Sequence, residues 1–358
     1  MTDLTADLPV LRLGARTSPL ARAQVDLVAG LLAARGAGST FVGVTTSGDL
    51  DPRLLTEIGG TGVFALGVRE ALRADKIDCA VHSLKDLPTA AEPDLEVIAV
   101  PAREDVRDVL VGSTLADLPD GARIGTGAPR RAMQLLDWAQ REGRHLEVVP
   151  VRGNVDTRIE LARGGGLDAV VLAGAGLRRL GHLGVEDAPG TGPLSGSDNS
   201  DIVVKGLPAE VLDEGLMLPA PGQGALALEI RRSLTGPALD AIALLDDAVA
   251  HAEVLAERAF LATLEAGCTA PVGVRARVTG HRGNDFDLTM HAVVERTLLG
   301  TLSGLTKTPP PVRTSVSGST SDPAALGSDL ARSVLDELSD EVRRTGAGSA
   351  PPRHEKAT

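Results

Sequence analysis

The sequence predicts two α/β units followed by a small α+β unit. Three observations carry that reading. Short apolar runs alternate with helical periodicity from Val10 to Pro101, which implies βαβ units on a mostly parallel sheet. The alternation restarts after Arg103 and lasts to Ala173. From about Leu244 a long helical segment precedes segments of alternating polarity, as in a helix packed on a meander.

Val10–Arg16 reads as the first strand, and Leu20–Leu32 carries apolar residues at helical spacing. Ser18 is a plausible N-cap and Pro19 a first-turn proline. Thr40–Thr46 is a second strand, Gly62–Lys76 a helix, Asp78–Leu84 a strand and Leu95–Pro101 another. In the second unit Val109–Val111 and Arg123–Thr126 read as strands and Pro129–Glu142 as a helix. Leu146–Val151 and Leu167–Ala173 are strands around a helix at Val155–Arg163. Gly190–Ser200 is a loop by composition, and Pro219–Gly224 a rigid turn entering a strand at Ala225–Ile230. Val249–Glu265 is a long helix, Val274–Val278 and Asp287–Val294 are strands, Leu305–Thr320 reads as loop and Pro323–Arg344 as the final helix. Gly346–Thr358 reads as a disordered tail.

The chain has 358 residues, too many for one average core. Aromatics are 1% and Tyr is absent, so the cores must be aliphatic and a base-stacking platform is not expected. A net charge of −12 argues against a membrane surface or a DNA backbone as partner. Five of the 36 basic residues are lysines, so the cations are overwhelmingly arginine, the better fork for carboxylates and phosphates; gene base composition would give the same bias. Two cysteines, Cys79 and Cys268, make no disulfide framework, and the His/Cys/Asp spacing fits no zinc pattern. The N-terminus lacks a basic region before its apolar run, and no apolar run is long enough to span a bilayer, so the cytoplasm is the expected location.

Four arginine groups fall just beyond predicted strands: Arg16 with Ser18, the pair Arg130-Arg131, Arg152 with Arg158, and Arg178-Arg179. The carboxyl ends of strands in open α/β sheets are where ligands sit, and helix N-termini there add N–H donors. Any one group could be solvated arginine at a helix start; four at one topological position point to a small polyanion. The run His82-Ser83-Leu84-Lys85-Asp86 places a cation and a carboxylate at the mouth of the sheet. Asp86 is either a counter-ion among arginines or a group that accepts N–H donors and steadies developing positive charge. His82 reads as a buried structural histidine. Cys79 reads as core. Cys268, in LEAGCTAPVG after a helix, is not an activated nucleophile, since the helix dipole there disfavours thiolate; its loop suits a one-time covalent tether.

Eight ordered segments resemble the porphobilinogen deaminase (hydroxymethylbilane synthase) family, over the chain to about Arg344. They are LRLGARTSPLARAQ, AVHSLKDLPT, REDVRD, GTGAPRRAMQL, VRGNVDTRI, LAGAGLRRLG, LPAPGQGALALE and AERAFLATLEAGCTAPVG. The resemblance implies two periplasmic-binding-protein-like α/β domains plus a small α+β C-terminal domain. Domain 1 would span residues 1–102 with 222–243, domain 2 residues 103–221 and domain 3 residues 244–345, before the tail at 346–358. It implies a dipyrromethane cofactor on Cys268 through a thioether, to which four porphobilinogen units are added with loss of ammonia before hydrolysis releases hydroxymethylbilane.

In that reading Asp86 is catalytic and, with Ser83, Lys85, Arg130 and Arg131, also holds the cofactor. Arg16, Ser18, Arg152, Arg158, Arg179, Gln24 and Gln223 contact substrate, the two glutamines as second-shell or hinge groups. Hinges near Pro101 and Pro219 would let the domains part as the chain grows. Porphobilinogen is the implied partner, with no nucleic acid or membrane, in a monomer. Two departures stand out: Glu57 and Thr61 occupy lid positions that are basic in many relatives, and Gly127-Ala128 replaces the usual Ser-Ser before the arginine pair. A two-lobed anion-binding module would also need the arginines, but not Cys268 or a third domain.

Overall fold

The computed structural model describes residues 10–46, 63–183, 202–267, 270–283, 285–299 and 309–345. Its strands form three sheets. The first takes β1 (Leu11–Arg16), β2 (Ser39–Val44), β3 (Cys79–Ser83) and β4 (Leu95–Ala99) from the start of the chain and β11 (Leu226–Arg231) from far downstream. Spatial order is β2-β1-β3-β11-β4. β1 runs parallel to β2 and β3, whereas β11 is antiparallel to both of its neighbours. The second sheet takes β5 (Asp108–Val111), β6 (Ala122–Gly125), β7 (Leu146–Val149), β8 (Ala169–Ala173), β9 (Val203–Val204) and β10 (Leu207–Val211), in the order β7-β6-β8-β5-β10-β9. β6 is parallel to β7 and β8, and β5 is antiparallel to β8 and β10.

Both α/β units therefore follow one plan: three parallel strands, then an antiparallel strand supplied by a crossing between the units. The expectation of mostly parallel sheets is corrected to that extent. The reason is topological. A strand arriving from the other unit enters from the opposite end of the sheet, so it pairs antiparallel without a helical crossover.

The helices are α1 (Pro19–Ala33), α2 (Val63–Arg73), α3 (Pro129–Arg141), α4 (Val155–Arg163), α5 (Gly174–Arg179), α6 (Pro237–Ala243), α7 (Ala248–Thr263) and α8 (Pro323–Thr345). α1 starts as its sequence requires. Ser18 is extended, its hydroxyl accepts from the Ala21 N–H at 3.3 Å, and Pro19 occupies the first turn. Apolar residues of α1 and α6 pack on the first sheet in a core of Leu, Val, Ile and Ala.

The third sheet is a meander of β12 (Val272–Arg282), β13 (Asp285–Val294) and β14 (Val312–Thr320). α7 and α8 cover it, around the fully buried Phe260. Here a second expectation fails: Leu305–Thr320 read as loop, but Val312–Thr320 pairs with β13 residue for residue. Its Ser, Gly and Thr content resembles loop composition, and the cross-strand partner decides the conformation. The short helices at Gly174–Arg179 and Pro237–Ala243 and the strands β9 and β10 gave no periodicity long enough to read. The Gly190–Ser200 loop and the tail from Gly346 lie outside the described residues.

The two crossings run side by side. Glu104 N–H donates to the Gly224 carbonyl at 3.3 Å, and Arg103 Nε donates to the Gln223 carbonyl at 2.9 Å. Gly224 has φ of +85°, and a Cβ there would lie 2.4 Å from the Glu104 carbonyl oxygen. No larger residue permits that approach.

Candidate active site

A cleft of about 480 Å³, counted to its open mouth, is lined by Arg16, Ser18, Gln24, His82, Ser83 and Asp86, among others. The end of β1 and the cap of α1 supply Arg16 and Ser18, α1 supplies Gln24, and the end of β3 with the turn after it supplies His82, Ser83 and Asp86. Gln24 is buried, and its Nε2 donates to Ser83 Oγ at 2.7 Å. β3 runs into a 3-10 turn at Leu84–Asp86, closed by the Leu87 N–H on the Leu84 carbonyl at 3.1 Å. That turn sets Lys85 and Asp86 at the sheet edge. Asp86 is exposed, and among the described residues its carboxylate accepts no hydrogen bond. Its charge acts on Lys85 and Arg158.

Lys85 is half-buried, and its Nζ donates to Gln223 Oε1 at 3.2 Å. Burial first, and then Arg131, bring its pKa down to about 8. Arg158 donates through Nε to the Gly153 carbonyl at 2.9 Å. Burial and the neighbouring charges of Arg131 and Arg152 bring it down to about 10, against the pull of Asp86. Arg131, Arg152, Arg158 and Lys85 thus crowd like charge around one exposed carboxylate. Arg131 Nε is buried without a partner. A crowded cationic wall of this kind suits a ligand with several carboxylates.

Other expected residues face protein instead. Arg130 is 4% exposed; its Nη2 donates to Asp108 Oδ2 at 2.8 Å and its Nη1 to the Leu218 carbonyl at 2.5 Å. Arg131 Nη2 donates to Asp108 Oδ1 at 2.8 Å and Nη1 to the Val171 carbonyl. Gln223 is 1% exposed, and its Nε2 donates to Asp108 Oδ1 at 2.8 Å and to the Val106 carbonyl at 2.7 Å. It bridges Lys85 to Asp108 beside the paired crossings and does not line the cleft. Arg179 Nη2 donates to the Gly224 carbonyl at 2.6 Å, and its Nε is buried without a partner. Burial brings Arg179 down to about 10, with Glu104 opposing.

His82 is buried, and its Nε2 lies 3.2 Å from Glu229 Oε2, which also accepts from Arg69. Burial would raise the Glu229 carboxyl, but hydrogen bonds from His82 and Arg69 hold it down at about 2. The structural reading of His82 holds. Cys79 is fully buried in β3, and burial raises its thiol well above the usual range. Cys268, Glu57 and Thr61 lie outside the described residues.

Sequence reading missed Asp108, the buried anion that joins Arg130, Arg131 and Gln223. Burial works against its charge, and the two arginines hold it well below the usual carboxylate range. The only signal was its place in REDVRD. It also missed Glu257, fully buried, which takes both Nη atoms of Arg103 at 2.9 and 2.8 Å and the Gly222 N–H at 2.7 Å. At the departure Gly127-Ala128, a Cβ on Gly127 would meet the Val151 carbonyl oxygen at 2.6 Å, and Thr126 Oγ1 accepts from the Ala128 N–H at 3.2 Å. The helix that follows begins after Ala128 without a side-chain cap.

Residues 11–236 match the family model described as porphobilinogen deaminase, dipyromethane cofactor binding domain, and residues 251–336 match the model of the porphobilinogen deaminase C-terminal domain. Porphobilinogen deaminase 1 of Streptomyces coelicolor is 44% identical over 91% of this chain and 94% of its own. Porphobilinogen deaminase of Acidothermus cellulolyticus is 42% identical over 99% of this chain and 98% of its own. Among solved structures, the methionine binding protein MetQ covers 66% of this chain and 89% of its own at 10% identity, with a TM-score of 0.37.

Proposed function

The chain belongs to the porphobilinogen deaminase family, and from that premise we propose how its own residues divide the work. The enzyme is a transferase, hydroxymethylbilane synthase, that joins four porphobilinogen molecules head to tail on a dipyrromethane primer with release of ammonia. The primer, when bound, would supply the pyrrole carbon for the first new bond. In our reading Cys268 carries it through a thioether.

Asp86 is the catalytic residue. Its exposed carboxylate accepts the pyrrole N–H of the incoming substrate. As the C–N bond breaks, the protonated aminomethyl group leaves as ammonia and the carboxylate steadies the positive charge left on the pyrrole; Asp86 then takes the proton released when the new C–C bond forms. Lys85 and Ser83 orient carboxylates of the primer from the first sheet. Arg130 and Arg131, expected from the sequence as cofactor contacts, instead back the primer site from the second sheet through Asp108, their Nη atoms being taken by protein. Arg16, Ser18, Arg152 and Arg158 hold the acetate and propionate arms of porphobilinogen, each charge-assisted contact contributing roughly 1.5–3 kcal/mol. Arg179, Gln24 and Gln223 shape the cleft through Gly224, Ser83 and Lys85. The domain division and the parting of the two α/β units about the paired crossings belong to this proposal, as do a cytoplasmic setting and a monomeric state; no described helix is long and apolar enough to cross a membrane.

One observation carries the assignment: Asp86 is exposed at the cleft, unbonded among the described residues, amid cations that repel one another. Intact mass tests it. The wild-type protein is expected to carry an increment of two linked pyrrole units that Cys268→Ser lacks. Asp86→Asn is expected to keep the increment and lose roughly 10²–10³-fold in turnover, the cost of removing one preorganised electrostatic group. Turnover by Asp86→Asn at the wild-type rate refutes the role.

A further inference from the structure

The turn that presents Asp86 is gripped from behind. Arg258, on α7, donates from Nη1 to the Leu87 carbonyl at 3.0 Å and from Nη2 to the Pro88 carbonyl at 2.6 Å. Those carbonyls belong to the two residues that follow Asp86. Within the turn itself one bond, Leu87 N–H to the Leu84 carbonyl, closes the backbone, and Pro88 has no N–H to offer a neighbour. A guanidinium is the side chain whose planar fork serves two adjacent carbonyls at once. The arrangement is costly: burial, and then the nearby Arg69, bring the Arg258 pKa down to about 10, with only Glu229 opposing. An apolar side chain would fill the space without that cost, so packing alone does not account for an arginine. α7 ends at Thr263, five residues before Cys268.

We propose that Arg258 is a positioning residue for the reaction: it braces the Lys85-Asp86 turn against α7, fixing the carboxylate relative to the chain segment that leads to the tether. It touches no reacting atom and acts through the backbone of Leu87 and Pro88. The inference rests on the role given above to Asp86 and Cys268.

The experiment compares Arg258→Met and Arg258→Lys in the full-length, primed protein. Hydrogen exchange at the Asp86, Leu87 and Thr89 amides is read beside kcat and KM for porphobilinogen. Arg258→Met should exchange those amides at least about tenfold faster while β3 and α7 stay protected. Its kcat should fall about 10–100-fold at a KM within about twofold of wild type, as expected for a displaced catalytic group. Arg258→Lys, which reaches one carbonyl, should recover part of kcat. Unchanged exchange at the turn, kcat within about twofold of wild type in Arg258→Met, or faster exchange throughout α7 overturns the brace. A wild-type mass without the two-pyrrole increment would instead overturn the tether, and the exchange comparison would still decide the brace.

Discussion

Two arginine pairs sit near the same cleft and do different things. Arg130 and Arg131 close on a protein carboxylate, Asp108, with both of its oxygens engaged at 2.8 Å. Arg158 instead feels the like charges of Arg131 and Arg152, with exposed Asp86 as the opposing anion. The first pair is part of the scaffold at the crossings. In our proposal Arg158, crowded by like charge, is part of the surface that holds substrate carboxylates. The residue type is identical, and what separates the pairs is whether a buried counter-ion has been built beside them. A guanidinium paired with a buried carboxylate belongs to the scaffold, whereas one crowded by like charge gains most from an arriving anion.

Substitutions can break that contrast or sharpen it. The largest expected effect is at Asp108→Asn, which leaves two buried guanidiniums without their anion. It should destabilise the protein by about 3–5 kcal/mol in urea unfolding. A loss under about 1 kcal/mol would mean that the pair is solvated after all.

Arg158→Leu should do the reverse. Relief of repulsion leaves stability unchanged or slightly raised, while KM for porphobilinogen rises about 10–100-fold with one charge-assisted contact gone. A melting temperature that drops as far as that of Asp108→Asn would erase the distinction between the pairs.

Lys85 gives a smaller, pH-dependent test. Its folded pKa lies near 8, below the ordinary value of 10.5. Between those values the unfolded chain holds the proton that the folded chain has released. This group's penalty on stability is therefore full below pH 8 and is relieved as pH rises towards 10.5. Activity runs the other way, because the carboxylate-orienting charge is lost. The alkaline limb of kcat/KM should bend near pH 8 and be absent in Lys85→Arg, whose guanidinium stays charged.

The smallest effect is reserved for the surface. Arg22 and Asp26 form an i,i+4 pair with both side chains more than half exposed, and Asp26→Ala should change stability by less than about 0.5 kcal/mol.

Local chemistry made much of the fold legible. Ser18-Pro19 announces the start of α1 because cap and proline act within one turn of chain. The strand before Lys85-Asp86 is legible because an apolar run ends there at a charge. Val312–Thr320 was not, since a Ser- and Thr-rich edge strand owes its conformation to β13 and not to its own side chains. At the site, Asp86, Lys85 and the arginine groups could be named from their place after strands. Asp108 could not, because it meets Arg130 and Gln223 across 22 and 115 residues of chain.

The sequence by itself determined the alternation of strands and helices, the family and the set of charged groups the chemistry needs, since periodicity, caps and motif order are properties of neighbouring residues. The tertiary structure alone decided which of those charges meet a buried protein carboxylate, as Arg130 and Arg131 meet Asp108. Burial and counter-ion distance settle that division, and both arise only when remote segments, here the two crossings and α7, are brought together.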